Sequence, residues 1–444
     1  MTKTAFRKKR VKEANMPFIP NHLTPEQLNT VQLDGLKWTL THVYNHSPFY
    51  RDKLDKAGIK PEDIRSTEDI NRLPFTDKED LQENYPFPLR SVPFESIVRI
   101  HASSGTTGKR KVLCYTQKDI DIWADMFARC YELAGLTRED RVQVAVGYGL
   151  WTAGVGFQAG CERFGAIAVP LGPANADMHC EMMVDMESTV FCATASMALL
   201  MAEEIHRRNL VDRIKVRKII LGAERHSGAM RKRIKELMNI DHIFDIYGLT
   251  ELYGPGTGLD CEYHQGIHYW SDLFIFEIID PNTLTPVPPG TIGELVVTTL
   301  CKEGSPLIRY RTHDITRLLA DSCPCGVVFP KHDRILGRSD DMFIYRAVNI
   351  YPSQIDHVLS QIKGIGSEYQ IHLTHQSDGR DMMCIKVERG IESAPEDDSL
   401  LAERVGADIR RKILVRCQVE LVPQGSLPRT ERKSRRVFDQ RNGE

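Results

Sequence analysis

Short apolar runs alternate with longer amphipathic stretches from about residue 95 onwards. The runs typical of buried strands are Arg141–Gly147, Ala166–Leu171, Val216–Gly222 and His242–Ile246. Strands interleaved with helical segments predict an α/β core whose strands are largely parallel. Polar, glycine-containing loops follow several of these strands, and in such folds ligands bind at the carboxyl ends of the strands. The pattern therefore predicts an α/β domain with a ligand site on those loops.

The pattern changes near residue 340. Pro352 is a favoured first-turn residue of a helix. Apolar residues follow it at helical spacing, namely Ile355, Val358, Leu359 and Ile362. Glu368–Thr374 and Asp381–Glu388 fit two strands joined by a turn at 377–380. We therefore predict a large domain at 1–339 with mixed sheets and helices, and a small, mobile α+β domain at 340–444.

Composition and charge argue against some classes of function but do not indicate a particular one. Hydrophobic residues make up 41% and charged residues 27% of the 444 residues, an ordinary mixture for a globular protein. The net charge of −2 gives no electrostatic reason to expect a nucleic acid or an anionic membrane as partner. The longest nearly apolar run, 191–202, is shorter than the roughly 20 residues that span a bilayer. No apolar stretch follows the basic residues near the start, and eleven cysteines suit a reducing compartment, so we expect a cytoplasmic protein.

The strongest local signal is the segment Ser103–Lys111, here called the phosphate loop. Its candidate nucleotide-binding residues are Ser103, Ser104, Gly105, Thr106, Thr107, Gly108 and Lys109. Glycines let the backbone approach phosphate oxygens, hydroxyl and amide groups can surround them, and basic residues supply counter-charge. Ser103 and Arg110 stand where a Walker A loop needs Gly and Ser or Thr, and the spacing of a kinase glycine loop is missing. A flexible polar surface loop is the alternative interpretation.

Eight segments, taken together in order and spacing, resemble the phenylacetate–CoA ligase family of the adenylate-forming superfamily, which includes acyl-CoA synthetases and luciferases. They are His46–Arg51, the phosphate loop, Tyr148–Leu150, Gly222–Glu224, Tyr247–Glu251, Ile308–Asp314, Gly337–Asp341 and Gly425–Arg429. The likeness covers nearly the whole chain. It implies a large adenylate-forming domain, a small mobile C-terminal domain, and a reaction that uses ATP, Mg²⁺ and coenzyme A.

The resemblance also implies how the nucleotide is bound. Tyr247 would stack on adenine. The other contacts expected near the base are Gly222, Ala223, Glu224, Asp245, Ile246 and Gly248. Asp314 would accept hydrogen bonds from both ribose hydroxyls, and Arg338 would reach the ribose or the phosphates. Taken alone, Asp314 could equally belong to a surface ion pair.

Catalytic roles follow from the same resemblance for Thr250, Glu251 and Lys433. Thr250 would touch the α-phosphate, and Glu251 would hold Mg²⁺, a hard cation that prefers oxygen ligands. Lys433 would contact the carboxylate and the bridging oxygen as negative charge develops there. Asp340 would be the hinge about which the C-terminal domain turns between two half-reactions. Taken singly, Glu251 could cap a helix and Lys433 could lie in a solvated basic run.

The expected acid pocket is lined by Tyr148, Trp151 and Phe157, with Val146 as a further candidate. Trp151 stands where phenylacetate enzymes of the family tend to have Phe, which suggests a smaller or reshaped aryl pocket. Arg225 and His226 replace a Pro-Trp pair, so they could meet a polar group of the substrate, or Arg225 could point to solvent. Two further departures are Ala347, beside the expected thiol tunnel, and Arg432, before the catalytic lysine; both positions usually hold glycine.

Two short chelating pairs predict a structural zinc site. Cys261 and His264 form one pair, and Cys323 and Cys325 form the other. Three cysteines and one histidine from two segments suit a closed tetrahedral site. His268 could replace His264, and four unrelated loop residues remain the alternative.

The sequence therefore predicts an AMP-forming ligase that adenylates an aryl, phenylacetate-like carboxylic acid and transfers the acyl group to coenzyme A. Ala347 keeps a second function open that does not use coenzyme A: an adenylyltransferase similar to coenzyme F390 synthetases, or an acyl-adenylate donor that loads a carrier protein. The expected partners are the acid, ATP and coenzyme A. The resemblance also makes a homodimer plausible.

Overall fold

The computed structural model describes residues 17–103, 109–224, 226, 228–346, 348–375, 381–428 and 436–441. Some residues singled out in the sequence lie outside these ranges. They are Ser104, Gly105, Thr106, Thr107, Gly108, Arg225, Ala347, Arg432 and Lys433. The roles expected of these residues stay predictions.

The first elements are helical and lead into a small hairpin. The helices are α1 (Pro25–His46), α2 (Pro48–Lys56) and α3 (Lys78–Glu83), with 3₁₀ turns at Pro61–Asp63, Thr67–Arg72 and Phe94–Ser96. The Thr24 hydroxyl accepts the Gln27 amide at 3.2 Å, and the Gln27 side chain accepts the Thr24 amide at 2.9 Å, a reciprocal cap that fixes the start of α1. Strands β1 (Arg99–Ala102) and β2 (Val112–Tyr115) pair antiparallel on either side of the phosphate loop.

The centre of the large domain is the parallel half of a nine-stranded sheet. Its strands are β3 (Arg141–Val144), β4 (Ile167–Val169), β5 (Val190–Thr194), β6 (Lys218–Gly222) and β7 (His242–Leu249). The helices between and around them are α4 (Gln117–Leu133), α5 (Ala153–Phe164), α6 (Ala176–Asp185), α7 (Ala195–Arg207) and α8 (Gly228–Met238). The apolar run at 191–202 divides between β5 and α7, because the Thr194 hydroxyl caps α7 by accepting the Met197 amide.

Antiparallel strands continue the sheet beyond β7. The further strands are β8 (Gly254–Asp260), β9 (Ile267–Tyr269), β10 (Phe274–Ile279), β11 (Gly293–Thr299), β12 (Tyr310–Thr316), β13 (Leu318–Leu319), β14 (Lys331–His332) and β15 (Gly337–Arg338). The nine-stranded sheet has the order β13-β14-β9-β8-β7-β6-β5-β3-β4, and β10-β11-β12-β15 form a separate sheet. β7 pairs in parallel with β6 and antiparallel with β8, so the sheet changes direction at this strand.

The small C-terminal domain has its own hydrophobic core. Its elements are β16 (Phe343–Tyr345), β17 (Val348–Ile350), α9 (Pro352–Leu359), β18 (Ile365–His375), β19 (Asp381–Arg389), α10 (Asp398–Ile413), β20 (Gln418–Val422) and β21 (Val437–Asp439), with a 3₁₀ turn at Pro395–Asp397. Four strands form a mixed sheet in the order β20-β19-β18-β21. The fold is thus the predicted α/β large domain followed by a smaller α+β domain. Within the described residues, no helix combines the length and apolar character needed to cross a membrane.

Three glycines surround the ring of Phe127, which is fully buried between α4, α5 and β8. A Cβ atom at Gly156 would lie 2.4 Å from the ring, one at Gly160 would lie 2.0 Å from the Phe127 Cβ, and one at Gly256 would lie 2.7 Å from the ring. Such distances are far below a carbon–carbon contact of about 3.5–4 Å. Glycine at these positions is therefore what lets α5 pack this closely on α4.

Glu294 on β11 links β12 to the segment that follows β15 at the end of the large domain. Its side chain is completely buried. It accepts two hydrogen bonds from the Arg311 guanidinium, at 2.9 and 3.0 Å, and one from the Ser339 hydroxyl at 3.0 Å. Burial alone would raise the pKa of Glu294, but contacts with His313 and Arg311 lower it to about 2. The folded state therefore prefers the charged form more strongly than the unfolded chain does.

Glu294→Gln is expected to make stability less dependent on pH in acid. The folded-state pKa of Glu294 is depressed, so its contribution of about 3 kcal/mol is present above pH 4.5 and fades as the pH falls towards 2. Urea unfolding between about pH 6 and 3.5 measures this. Glu187→Gln, which removes an exposed partner of Arg141, should leave the slope unchanged. Parallel pH curves for Glu294→Gln and the wild type would contradict the assignment.

Candidate active site

The turn after β7 places the two predicted catalytic side chains in the protein interior. Thr250 and Glu251 are 8% and 5% exposed. Gly248 precedes them with φ of 155°, and a Cβ atom there would lie 1.9 Å from the Gly254 carbonyl oxygen, so the approach of β7 to β8 excludes a side chain. The Tyr115 hydroxyl donates to the Thr250 carbonyl at 3.3 Å, and the Thr250 hydroxyl lies 3.4 Å from that of Thr152. The turn is thus held from both sides.

A chain of polar contacts joins the predicted adenine, ribose and hinge residues. The Tyr247 hydroxyl donates to one Asp314 oxygen at 2.8 Å, and Arg338 donates to the other at 3.0 Å. Arg338 also binds both oxygens of Asp340, at 2.9 and 3.2 Å, and Lys78 donates to Asp340 at 3.0 Å. The predicted ribose carboxylate and the predicted hinge carboxylate therefore share one guanidinium.

The electrostatics of this chain favour the charged forms. Burial would raise the pKa of Asp340, but Arg338 and Lys78 hold it well below its usual range. Burial would likewise lower the pKa of Arg338, but Asp314 and Asp340 raise it. A guanidinium between two carboxylates makes charge-assisted hydrogen bonds in a planar fork, which fixes its orientation.

Glu251 is paired with a lysine that the sequence analysis did not assign to a site. The Lys111 ammonium lies directly against its carboxylate, and the Tyr310 hydroxyl donates to the same oxygen at 3.2 Å. Burial would raise the pKa of Glu251, but Lys111 lowers it. Lys111 ends the phosphate loop, and its position within that motif was the available signal. Its partner lies far along the chain, so sequence spacing could not identify the pair.

The described ends of the phosphate loop close on each other. The Ser103 amide donates to the Lys111 carbonyl at 3.1 Å, and the Lys111 amide donates to the Ser103 hydroxyl at 3.2 Å. Lys109 is exposed, with its ammonium 5.5 Å from the centre of the Tyr85 ring. The described ends of the loop are therefore paired, and Lys111 places them beside the Glu251 turn.

The predicted adenine turn lies at the end of β6, next to β7. A Cβ atom on Gly222 would come within 2.7 Å of the Ile246 side chain, and Ala223 has a left-handed φ of 69°. Glu224 accepts the Ser196 amide at the start of α7. The parallel pairing of β6 with β7 therefore places the turn beside Ile246 and Tyr247.

Asp245 has a structural role that the sequence did not reveal. Its carboxylate contacts Arg334 at 2.8 Å, Arg231 at 3.0 Å and the His226 ring at 3.0 Å. Burial would raise the pKa of Asp245, but these neighbours, His226 foremost, hold it well below its usual range. His226 is therefore turned towards Asp245. The arginines come from α8 and from the segment before β15, so chain spacing alone did not indicate the cluster.

The predicted pocket residues lie around glycine backbone. A Cβ atom at Gly154 would lie 2.6 Å from the Tyr148 ring, and one at Gly147 would lie 2.9 Å from the Trp151 ring. The Tyr148 hydroxyl is buried without a hydrogen-bond partner among the described residues, and burial raises its pKa to about 12. It is therefore a neutral donor in need of an acceptor. Phe157 is buried edge-on against Phe127, with ring centres 5.0 Å apart.

A cluster of sulfur and imidazole ligands forms beside β9. Donor atoms of Cys261, His268, Cys323 and Cys325 lie within 4.8 Å of one another. The expectation of His264 is corrected in favour of His268. His264 has a left-handed φ of 52° and lies 2.8 Å from Asp260, whereas the His268 ring on β9 lies 3.3 Å from Cys325. The backbone turn at His264 therefore directs its side chain away from the sulfur atoms, although His264 is closer to Cys261 in the sequence.

Comparison with known proteins finds likeness along most of the chain. The family model for AMP-binding enzymes matches residues 26–301, and that for the AMP-binding enzyme C-terminal domain matches residues 347–441. A phenylacetate-coenzyme A ligase of Escherichia coli is 40% identical over 94% of this chain and 96% of its own length. The enzyme of that name from Thermus thermophilus is 39% identical over 94% of this chain and 98% of its own length.

Solved structures distinguish between arrangements of the two domains. A 2-hydroxyisobutyryl-CoA ligase in its postadenylation state, with its acyl-adenylate bound, is 29% identical and superposes with a TM-score of 0.85 over 96% of this chain and 91% of that one. The same ligase in the thioesterification state, with coenzyme A, gives a TM-score of 0.69 over 95% of this chain and 91% of that one. The domain arrangement described here is therefore more similar to the postadenylation state.

Lys111→Met is expected to lower the free energy of unfolding at pH 7 by about 3 kcal/mol, because it leaves the buried Glu251 carboxylate without its cation. Adding Glu251→Gln should recover much of the loss, and urea unfolding of both single variants and the double variant measures the coupling. Lys56→Met, at an exposed pair on α2, serves as control. A loss no larger than that of the control, or purely additive single effects, would contradict the pairing.

Proposed function

This chain belongs to the AMP-binding enzyme family as an AMP-forming acid–CoA ligase, and we propose that the acid it activates is an aryl, phenylacetate-like carboxylic acid. The observation that carries the proposal is 39–40% identity to phenylacetate-coenzyme A ligases over nearly the whole chain. The aromatic Tyr148–Trp151 segment suits a flat, apolar acid. The neutral Tyr148 hydroxyl would donate to an oxygen of that acid.

Adenylation joins the acid to AMP. An oxygen of the substrate carboxylate attacks the α-phosphorus of ATP, the bond to the bridging oxygen breaks, and pyrophosphate leaves with its electron pair. Thr250 donates to the α-phosphate, Asp314 orients the ribose, and Lys433 neutralises the bridging oxygen. Mg²⁺ would neutralise phosphate charge, and the Glu251 carboxylate and the hydroxyls of the phosphate loop have the oxygen chemistry that it prefers. These residues act mainly by positioning and by electrostatic stabilisation.

Thioester formation needs a different domain arrangement. The thiol of coenzyme A attacks the acyl carbon, the carbon–oxygen bond to AMP breaks, and the thiol proton leaves to solvent. We propose that residues 340–444 turn about Asp340 between the two steps. In the arrangement described here, Asp340 is bound to Arg338 and Lys78, so turning at this residue requires those contacts to exchange. The better match to a postadenylation state than to a thioesterification state supports this motion.

We further propose that Cys261, His268, Cys323 and Cys325 hold a structural zinc ion. Three thiolates and one imidazole are the ligand set of a closed tetrahedral site, and their donor atoms are already gathered. The His268 Nδ1 atom lies 2.9 Å from the Phe329 carbonyl, which leaves Nε2 on the side of the sulfur atoms. Zinc would tie the loop before β14 to the turn after β8. A homodimer and a cytoplasmic location stay predictions.

Zinc binding can be tested on two neighbouring histidines. The purified wild type should contain close to one zinc per chain, His268→Ala should lose most of it, and His264→Ala should keep it, because only the first ring lies with the sulfur atoms. Elemental analysis and release of metal to a chromogenic chelator measure this. Zinc retained by His268→Ala, or lost equally from both variants, would refute the ligand set.

The acid can be identified by an assay that follows both half-reactions. The protein is incubated with ATP, Mg²⁺ and a panel of aryl and short-chain acids, with and without coenzyme A, while pyrophosphate, AMP and acyl-CoA are measured. Phenylacetate or a close aryl analogue should give the highest kcat/KM and equal amounts of AMP and acyl-CoA. A preference for short aliphatic acids would overturn the aryl proposal. Pyrophosphate release without thioester would favour a different acyl acceptor.

A further inference from the structure

Lys302 is a completely buried lysine behind the catalytic turn, in the segment that follows β11. Its ammonium donates to the Leu252 carbonyl at 2.5 Å and to the Glu251 carbonyl at 3.3 Å. The rings of Tyr115 and Tyr253 lie on either side, with centres 4.7 and 4.5 Å from the nitrogen. The site thus offers carbonyl oxygens and aromatic faces, both of which attract a cation.

This lysine lacks the partner that a buried cation usually has. Within the described residues, no carboxylate oxygen lies within ion-pair distance of its nitrogen, although Asp119 and Glu251 are near enough to influence it. Burial lowers the pKa of Lys302 to about 8. A buried, unpaired cation destabilises a fold, and an apolar side chain of similar volume is often better tolerated there. Among the described residues, the charge of Lys302 is therefore compensated by carbonyl oxygens and aromatic faces and not by a carboxylate.

Three consecutive carbonyl groups of the turn are held from one side. Tyr115 donates to the Thr250 carbonyl, and Lys302 donates to those of Glu251 and Leu252. The side chains of Thr250 and Glu251 point from the same turn to the hydroxyl of Thr152 and to Lys111, respectively. Because these carbonyls are held, the backbone positions from which the Thr250 and Glu251 side chains extend are also held. We propose that Lys302 is a positioning residue for adenylation, which holds the Thr250–Glu251 backbone where it meets the ATP phosphates and the metal ion.

The inference rests on the proposed function of that turn and predicts which half-reaction depends on Lys302. Thr250 and Glu251 act on the phosphates and the metal ion while the α-phosphorus is attacked. Once the acyl-adenylate exists, pyrophosphate has left, and thioester formation depends mainly on the C-terminal domain and coenzyme A. Loss of Lys302 should therefore impair adenylation far more than transfer to coenzyme A.

The test compares Lys302→Met with the wild type in both half-reactions. Adenylation is followed by exchange of labelled pyrophosphate into ATP, and transfer by supplying the synthetic acyl-adenylate of the preferred acid together with coenzyme A. Lys302→Met should lower kcat for adenylation about 10- to 100-fold, a range typical of misplaced catalytic groups. It should change transfer less than threefold. The midpoint of urea unfolding should be unchanged or higher, a result that a purely structural role would not give.

Two further variants complete the test. Lys302→Gln keeps an uncharged donor for the two carbonyls and should recover part of the adenylation rate. Lys118→Met removes an exposed lysine that also lies over an aromatic ring and should behave as the wild type. Adenylation by Lys302→Met within twofold of the wild type, or a loss that parallels a lowered unfolding midpoint, would overturn the inference. A wild type without pyrophosphate exchange would instead refute the proposed function.

Discussion

The position of the whole site depends on the double pairing of β7. This strand pairs in parallel with β6 on one side and antiparallel with β8 on the other. Parallel strands end at the same edge, which brings the Gly222–Glu224 turn beside Tyr247. The antiparallel partner forces the backbone at Gly248 against Gly254, so the chain must turn at once and present Thr250 and Glu251. The two pairings together therefore bring the predicted adenine turn and the predicted catalytic turn to the same end of β7.

The charged groups of the site are paired with one another. Glu251 is matched by Lys111, and Asp314 and Asp340 are matched by Arg338. Each buried charge has already left water, and the protein groups that solvate it are fixed in place. Fixed dipoles and charges need little reorganisation when negative charge develops during a reaction, which is the usual source of electrostatic catalysis. In the proposed reaction, the nucleotide would exchange partners with groups whose orientation is fixed by these contacts.

The residues expected around the nucleotide came from motifs that resemble a known family, each read from local order along the chain. The structure brings Tyr247 on β7 together with Asp314 on β12 and Arg338 on β15, which belong to a different sheet. Contacts between distant segments were beyond that reasoning, since the Lys111–Glu251 and Lys302–Glu251 pairs depend on tertiary packing. The sequence could not show which histidine lies with the cysteines. That depends on the left-handed backbone conformation of His264, which residue spacing does not reveal. The division into a large and a small domain was visible because hydrophobic periodicity changes near residue 340.

The packing around Phe127 has a consequence for how the substrate range of this fold can be altered. Gly156 and Gly160 on α5, together with Gly256 on β8, have no room for even a methyl group against that ring. Any larger residue there would separate α5 from α4, and Phe157 and the segment before it would move as well. Tyr148 and Trp151, which lie ahead of the helix, pack instead on the backbone of Gly154 and Gly147. At the proposed acid pocket, substitutions in the loop that precedes α5 are therefore expected to disturb the packing of the fold less than substitutions at these helix positions.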